Sequence, residues 1–521
     1  MNYFSSLGNK VSVTHLCKHY FPKKSSNSLM KTKTSMFHYV ISHAKPFWLH
    51  LFYFLVVSLV GYMVLKVNNN LNNLDLFFTS VSATTASSMS TLEMEVFSND
   101  QLIVMTILML LGGEVFTSML GLQLRRCNFS SFQTPKVDNS HVIIDNNSIE
   151  LGTINQLSIS TSDDSESYSK YYNNSIKVLG YVVLGYLLVV HAIGSTLVTI
   201  YMTLTPSANN VLKSKGLVLN TFSFFVIVST FSSCGFIPTN ENMIIFRGNP
   251  GLLLIVLPFV FLGNTLYPSL LRLVIWVLER FIKKKEFNYM LNNYKEMGYD
   301  HLLSSKECWY LTGTTIAFLV LQVVVFCAME WSSGVMEGMN SYQKFVGSVF
   351  QTANTRHSGE SIVDLSLVSP AILVLFIIMM YLPAYTSFLP ISDEQEETPE
   401  KSIKMKKKKK VVENMVLSQL SYLVIFVIII CITERKSLKD DPLNFNVLNI
   451  VFEVISAYGN VGLSTGYNCK RRLNSDKNCS DKLYGFSGRW SNAGKCVLIL
   501  VMFFGRLKKF NMHGGKSWKM L

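Results

Sequence analysis

Four short stretches of this chain could line a path for an ion, because each closes a moderately apolar segment with small residues. They are Ser88-Met89-Ser90, Ser233-Cys234-Gly235, His357-Ser358-Gly359 and Asn460-Val461-Gly462. Three of the four close on glycine, which adopts backbone angles that are forbidden to residues with a β-carbon. Such angles let carbonyl oxygens point inward together, and a ring of inward carbonyls can replace the hydration shell of a cation. The chemistry that these residues indicate is cation coordination by backbone oxygens.

The spacing of the stretches favours one structure with four parts. Each stretch follows an apolar run at a similar distance, although the linkers between copies differ widely in length. A repeated structural unit has this pattern. Any single glycine is better explained by helix packing or a turn, but four matched copies reverse that preference. Because non-helical backbone at membrane depth is tolerated only where it is buried in protein or lines water, we predict that the four stretches converge on one aqueous axis.

Long apolar runs surround these stretches in pairs. Hydrophobic residues make up 49% of the 521 residues and charged residues 15%, and the mean hydropathy is +0.29. The runs are 46–66, 101–124, 178–204, 251–277, 309–331, 367–389, 416–432 and 495–504. Most approach the roughly 20 residues that a helix needs to cross a bilayer. The sequence therefore predicts an all-α membrane protein of four repeated membrane-pore-membrane units, with eight transmembrane helices and four re-entrant pore loops around one central pore.

The placement of positive charge predicts the orientation of the chain. The net charge is +14, and lysines and arginines are frequent in residues 1–45, 281–306 and 391–413. Cytosolic loops carry an excess of these residues, so we place all three segments in the cytosol. The run Lys406 to Lys410 would orient its helix or attract anionic lipid, whereas Lys470, Arg471 and Arg472 fall in a predicted outside loop, against the rule. Membrane lipid is the expected partner of this charge, and nucleic acid is not.

The predicted order of segments follows from the runs and the charges. It comprises a basic N-terminal segment (1–45), four pore repeats (46–124, 177–280, 307–390 and 414–521) and three cytosolic linkers (125–176, 281–306 and 391–413). Of the nine cysteines, Cys469 and Cys479 lie in a predicted outside loop, where they could form a disulfide, and Asn478 beside them starts a glycosylation sequon.

Other functional classes find little support in the sequence. The chain has no CxxC metal pattern and no HExxH, GxSxG, GxGxxG or phosphate-loop motif. We therefore expect no cofactor, no resident metal and no enzymatic activity. A carrier for an organic solute would need two symmetric halves with a charged site at the membrane midplane, whereas the sequence shows four interrupted hairpins.

The chain resembles the plant high-affinity potassium transporter (HKT) family of the Trk/Ktr/HKT superfamily over most of its length from about residue 46. The motifs that match are Ser87-Ser88-Met89-Ser90, Met94-Glu95-Val96-Phe97-Ser98, Phe231-Ser232-Ser233-Cys234-Gly235-Phe236, Pro238-Thr239-Asn240-Glu241-Asn242, Asn354-Thr355-Arg356-His357-Ser358-Gly359-Glu360 and Ser456-Ala457-Tyr458-Gly459-Asn460-Val461-Gly462-Leu463-Ser464. The resemblance implies four pore units in one polypeptide, cytosolic termini, a plasma-membrane location and a homodimer in which each subunit has its own pore.

The resemblance also assigns the ion selectivity filter. Its four positions are Ser90, Gly235, Gly359 and Gly462, flanked by Ser88, Met89, Ser233, Cys234, His357, Ser358, Asn460 and Val461. With serine at the first position the chain resembles the sodium-selective subfamily, whereas glycine at that position accompanies potassium transport in the family. A β-carbon at Ser90 would disfavour the positive-φ geometry of a symmetric carbonyl ring and leave fewer dipoles for potassium. Na⁺ is the expected ion, conducted passively. A potassium channel or a Na⁺/K⁺ symporter is the alternative.

Acidic residues follow the closing stretches, at the predicted outer mouth of the pore. They are Glu93, Glu95, Glu241, Glu360 and Asp364. Carboxylates at a mouth raise the local concentration of cations. The same residues could instead cap helices or pair with basic side chains, so both interpretations stay open.

Three further residues stand out within the apolar runs. The resemblance places a basic residue at the inner side of the pore at Arg506, where a positive charge would slow outward cation flow. Lys508, two residues further along the chain, is expected to reach the membrane boundary. Pro383 is expected to break the sixth helix, as a kink or as a gate.

Overall fold

The computed structural model describes residues 46–67, 71–132, 161–383, 385–386, 419–472, 479 and 481–511. The predicted N-terminal segment 1–45, the centre of the linker 125–176, the linker 391–413 and the sequon at Asn478 lie outside the described residues. Within the described ranges every regular element is a helix, apart from one isolated backbone pairing between Tyr467 and Lys482. This result confirms the all-α fold class.

The helices fall into four groups in chain order. The first contains α1 (Pro46–Lys66), α2 (Asn73–Thr84), α3 (Asn99–Gly112) and α4 (Glu114–Phe132). The second contains α5 (Thr161–Leu204), α6 (Pro206–Ser214), α7 (Leu219–Phe231), α8 (Pro250–Leu262) and α9 (Tyr267–Ile282), and α10 (Lys285–Asn292) follows it. The third contains α11 (Ser305–Glu330), α12 (Ser341–Asn354) and α13 (Pro370–Tyr381). The fourth contains α14 (Gln419–Thr433), α15 (Arg435–Asp440), α16 (Val447–Gly459) and α17 (Asn492–Asn511).

Each group contains one largely buried helix of 12 to 14 residues. These four pore helices are α2, α7, α12 and α16, and each leads directly into one of the four glycine- or serine-closing stretches. Asparagine side chains start three of them by accepting backbone hydrogen bonds: Asn72 caps α2, Asn340 caps α12 in a capping box with Gln343, and Asn446 caps α16. These caps fix where the three helices begin.

Membrane-crossing capacity is unevenly distributed among the helices. Within the described ranges, α1, α5 and α11 are each long and apolar enough to cross a bilayer alone. Three helix pairs meet that requirement only together and are bent between their members: α3 and α4 by 61°, α6 and α7 by 98°, and α8 and α9 by 85°. The described part of the chain thus holds three spans, or up to six if each bent pair counts as one, beside the shorter apolar helices α13, α14 and α16.

The apolar runs 101–124 and 251–277 are bent pairs instead of the continuous helices that their composition predicts. A β-carbon on Gly112 would lie 2.0 Å from the carbonyl oxygen of Thr84, and one on Gly263 would lie 1.8 Å from that of Phe231. Thr84 and Phe231 are the last residues of pore helices α2 and α7. Each inner helix therefore breaks where its glycine contacts the end of a pore helix. Helix α13 ends at Tyr381, before Pro383, as expected for a residue that restricts its predecessor.

The segment predicted as the cytosolic linker 281–306 contributes to the hydrophobic core. Phe287 and Met290 of α10 and the following Tyr299 are buried with side chains of α4, α5 and α9. Large apolar side chains remain exposed on the outer helices, for example Trp48 on α1, Leu188 on α5 and Trp309 on α11. In a membrane this surface faces lipid, so its exposure carries no cost of hydration.

Candidate ion pathway

The loops that follow the pore helices touch one another in sequence. A β-carbon on Gly235 would lie 1.4 Å from the carbonyl oxygen of Ser358, and one on Gly359 would lie 2.1 Å from that of Val461. The second loop thus contacts the third, and the third contacts the fourth. Real β-carbons do not approach other atoms so closely, so only glycine permits these two contacts.

The fourth and first loops close the ring. A β-carbon on Gly462 would lie 2.2 Å from the β-carbon of Ser88, and the Nδ2 of Asn460 donates to the Oγ of Ser87 at 2.7 Å. The side chain of Cys234, in the second loop, lies beside the backbone of Ser88. All four stretches therefore meet, as the repeat predicted.

Left-handed backbone conformations recur at matching places in the loops. Ala86, Ser233 and Asn460 have φ angles of +54°, +57° and +53°, and a second left-handed residue lies two positions after each of them. Gly235, Gly359 and Gly462 have φ angles of +81°, +70° and +96°, in the left-handed region. In the first loop Ser88 has φ +52°, and Ser90 does not have a positive φ. A left-handed conformation is uncommon for a residue with a β-carbon. Ser88 adopts the conformation that glycine adopts in the other three loops.

Hydrogen bonds to the pore helices give the same register. The backbone N–H of Ser87 donates to the carbonyl of Ser82, that of Cys234 to Ser229, and that of Val461 to Ser456, each five residues back. The next residue in each loop is Ser88, Gly235 or Gly462. Three of the loops therefore superimpose with Ser88, and not Ser90, at the first position.

The prediction that Ser90 occupies the first filter position is therefore wrong by two residues, because Ser88 aligns with Gly235 and Gly462. The hydroxyl of Ser90 donates to the carbonyl of Leu92 at 2.6 Å. Its carbonyl oxygen accepts from the hydroxyl of Ser487 at 3.2 Å and lies against Gly485. Ser90 thus anchors the first loop to the segment that precedes α17. The motif Ser-Met-Ser carries a hydroxyl at two positions, which is why its letters alone do not reveal the register.

Two buried polar residues of the pore helices hold the loops from behind, and the sequence analysis did not identify them. The Oε1 of Gln351 accepts from the hydroxyl of Ser361 and from the N–H of Ile362, both at 3.0 Å. The Oε1 of Glu453 accepts from the hydroxyl of Ser464 at 3.1 Å and from the N–H of Ser487 at 3.2 Å. A polar residue within a mostly apolar pore helix could have revealed them in the sequence, because buried polar groups usually have hydrogen-bond partners.

Two flanking residues have structural contacts. The ring of His357 is buried, lies 5.1 Å from the ring of Phe261, and its Nδ1 is 3.1 Å from the hydroxyl of Thr265. Ser358 donates from its hydroxyl to the Oδ1 of Asn354 at the end of α12. These contacts fix the third loop against the break between α8 and α9 and against its own pore helix.

The predicted mouth acids separate into three environments. Glu95 and Glu241 share Lys215, with shortest N–O distances of 2.6 and 2.8 Å. Burial alone would lower the pKa of Lys215, but its hydrogen bonds to Glu241 and Glu95 outweigh that effect and raise the pKa, so the lysine stays cationic. These two carboxylates therefore join the first and second repeats through one lysine, which balances one of their two negative charges.

The remaining acids differ from one another. Glu93 pairs with Lys482 at 2.8 Å. Glu360 is fully buried and accepts from the hydroxyl of Thr230 at 2.5 Å, so its expected place at the mouth is wrong. Asp364 caps a short 3₁₀ turn through the N–H of Ser366 and lines a cleft just outside the loop ring. Only Asp364 combines a position beside the ring with freedom from an ion pair among the described residues.

The basic residues of α17 contact the interior of the molecule. Arg506 is buried, donates from Nη2 to the carbonyl of Gly112 at the α3–α4 break, and lies 5.6 Å from the ring of Phe54. Lys508 donates to the carbonyl of Tyr458 at 3.0 Å, and its ammonium group lies over the ring of the same tyrosine. Lys508 therefore binds the end of α16. A cation is favourable there, since the helix dipole is negative at its C-terminus.

The first and last repeats are joined by a buried ion pair. Lys495, in the first turn of α17, lies 2.7 Å from Asp75, in the first turn of α2, with 8% and 10% of their side chains exposed. On the outer side, Cys469 and Cys479 form the disulfide that the sequence allowed. The fourth repeat therefore contacts the first through side chains at several levels.

These observations define a class: a helical membrane protein in which four pore loops meet in one ring. A family profile described as TrkH, cation transport protein, matches residues 148–512. The chain is 50% identical over 488 residues to Cation transporter HKT1;3 of Oryza sativa subsp. japonica, with 91% of each chain covered. It is 51% identical over 460 residues to Sodium transporter HKT1 of Arabidopsis thaliana, covering 86% of this chain and 88% of the relative.

The chain belongs to the TrkH family of cation transport proteins and, within it, to the plant HKT transporters. Its relatives are transporters, which confirms the prediction that it is not an enzyme. Among solved structures, the potassium transporter TrkH from Vibrio parahaemolyticus is similar over 89% of this chain and 82% of its own, with a TM-score of 0.48 and 12% identity.

Proposed function

We propose that this transporter conducts Na⁺ passively through a filter formed by Ser88, Gly235, Gly359 and Gly462. The observation that supports it is the shared left-handed conformation of these four residues in loops that touch in a ring. Backbone carbonyls presented by such loops can replace the water that an ion loses. The relative from Arabidopsis thaliana is named a sodium transporter, which supports Na⁺ as the ion.

The β-carbon of Ser88 offers a physical reason for preferring Na⁺ over K⁺. It lies against Gly462, at a point where no second β-carbon would fit. Its left-handed φ is a strained conformation for serine, and the contacts on both sides hold it there. A glycine at the same position would leave the first loop freer to move, and a ring that adjusts its carbonyls can accommodate the larger ion.

Replacing Ser88 by glycine tests the filter directly. In oocytes recorded by two-electrode voltage clamp, the wild-type reversal potential should follow external Na⁺ and ignore external K⁺. We expect Ser88→Gly to make the reversal potential respond to both ions. Ser90→Gly is the matched control and should behave as wild type. If Ser90→Gly acquires the K⁺ response and Ser88→Gly does not, the filter register proposed here is wrong. A wild-type reversal potential that follows K⁺ would favour the potassium channel or the Na⁺/K⁺ symporter.

Arg506 is proposed as the fixed positive charge on the inner side of the pathway, because it is buried at the helix break of the first repeat. A cation leaving the cell would have to pass this charge, and the repulsion is strong in a low-dielectric setting. We expect Arg506→Gln to raise outward current severalfold relative to inward current, measured as the ratio of currents at equal driving forces. Arg506→Lys keeps the charge and should keep the ratio. An unchanged ratio in Arg506→Gln at normal surface expression would refute the role.

The proposal also includes the location, topology and oligomeric state of the protein. We place it in the plasma membrane with both termini in the cytosol and with anionic lipid at the basic linkers. It would form a homodimer in which each subunit has its own pore. Labelling of an epitope at each end of the chain in intact and permeabilised cells tests the two termini, with labelling only after permeabilisation as the expected result.

A further inference from the structure

A cleft lies beside the loop ring and is lined by residues of the second, third and fourth repeats. Gly359 and Gly462 of the ring are among its lining residues, together with Asp364, Thr465 and Tyr484. An ion that approaches the proposed filter from outside meets this cleft first. Its lining decides what such an ion encounters before it loses its water.

The hydroxyl of Thr465 lacks a partner. Thr465 is 1% exposed and its Oγ1 makes no hydrogen bond within the part of the chain that the structure describes. A buried hydroxyl without a partner destabilises the folded protein. By contrast, the hydroxyl of Ser464 accepts from the N–H groups of Gly466 and Phe486 and donates to Glu453. The hydroxyl of Thr465 thus has unused hydrogen-bonding capacity beside the cleft, whereas that of Ser464 is satisfied within the protein.

The negative charge of the cleft comes from Asp364. One of its carboxylate oxygens accepts from the N–H of Ser366 at 2.9 Å, and the carboxylate forms no ion pair among the described residues. The other outer carboxylates, Glu93, Glu95 and Glu241, are paired with lysines. Asp364 is therefore the outer acid that lines the cleft without a paired lysine, whereas Glu93, Glu95 and Glu241 do not line it.

We propose that Asp364 and Thr465 form an outer binding site for one partly hydrated alkali cation, which rests there before it enters the ring. Carboxylate and hydroxyl oxygens suit hard cations. A divalent ion is disfavoured, because Ca²⁺ takes 6–8 oxygen ligands with several carboxylates, and the described residues contain no group of three or more His, Cys, Asp or Glu side chains that could hold a metal. The site rests on the proposed function, which supplies Na⁺ as the cation.

External Na⁺ titration of the inward current tests this site. Asp364→Asn removes the charge and keeps an oxygen that can accept from Ser366. We expect it to raise the half-saturating Na⁺ concentration about tenfold, equivalent to about 1.4 kcal/mol. Thr465→Val, which has nearly the same shape, should raise it less. Neither variant should alter the reversal potential, because the ring itself is unchanged. Glu337→Gln is the matched control: it removes one charge from an exposed outer residue of the same repeat that does not line the cleft.

The possible results separate this site from the filter. A half-saturating concentration in Asp364→Asn equal to that of Glu337→Gln refutes the outer site and leaves the proposed function intact. A loss of inhibition by external Ca²⁺ in Asp364→Asn, with unchanged Na⁺ half-saturation, shows a divalent site and also refutes it. A wild-type chain that passes no Na⁺ current refutes the proposed function and the outer site together. Surface biotinylation of each variant ensures that currents are compared at equal amounts of protein.

Discussion

Gly235→Ala should reduce the Na⁺ current to background while the protein still reaches the cell surface. The new β-carbon would lie 1.4 Å from the carbonyl oxygen of Ser358, which is closer than non-bonded atoms approach. Both atoms belong to backbone or are attached to it, so no side-chain rotation relieves the clash. The φ angle of +81° adds strain for any residue with a β-carbon. The second and third loops must separate, and the ring is then lost.

Gly313→Ala is the control for this substitution. Gly313 lies within α11 and a β-carbon there meets open space. Alanine is favoured over glycine inside a helix by about 1 kcal/mol, so this variant should keep its current and lose no stability. Near-normal Na⁺ currents in Gly235→Ala would mean that the loops are not held in contact in the conducting protein.

Breaking the buried pair between Lys495 and Asp75 should produce the largest loss of stability. Removing one member of a buried ion pair costs about 3–5 kcal/mol, because the other charge is left without a partner. The two single variants should differ. In Lys495→Met the carboxylate of Asp75 keeps the favourable positive end of α2, whereas in Asp75→Asn the ammonium of Lys495 is left at the unfavourable positive end of α17. Asp75→Asn should therefore lower the melting temperature more.

Thermal unfolding of the detergent-solubilised protein measures both effects. The double variant Asp75→Asn/Lys495→Met should recover part of the loss, since it leaves no unpaired buried charge. Lys436→Met, an exposed lysine of α15, should change stability by less than about 0.5 kcal/mol. Equal melting temperatures for Lys495→Met and Lys436→Met would show that the ion pair contributes nothing to the folded state.

The architecture could be predicted because its signals are local. Apolar runs, the repeated closing stretches and the proline at position 383 each act through their own neighbourhood, and the structure places helices and breaks accordingly. The helix breaks at Gly112 and Gly263 were not predictable in this way. They depend on contact with the ends of α2 and α7. A glycine in the sequence indicates that another group can approach closely, but it does not show that the helix bends at that residue.

The site was predicted only in part, for the same reason. The three filter glycines stand out by residue type, but the register of the first loop depends on the bond from Ser87 to Ser82 and on the contact with Gly462. The mouth acids resemble one another in sequence, and only distant partners distinguish them. Lys215 is 120 positions from Glu95, and Thr230 is 130 positions from Glu360. Pairings over such distances leave no local pattern.

The ion pair between α2 and α17 has a consequence for biogenesis. Asp75 and Lys495 are separated by 420 positions, so at about 5–20 residues per second the ribosome needs roughly 20–80 s to supply the lysine after the aspartate. During that interval the nascent first repeat holds a carboxylate whose counter-ion has not been synthesised. The ring of repeats is completed only when the final helix is inserted, and a chain that ends before residue 495 should be recognised by quality control and degraded.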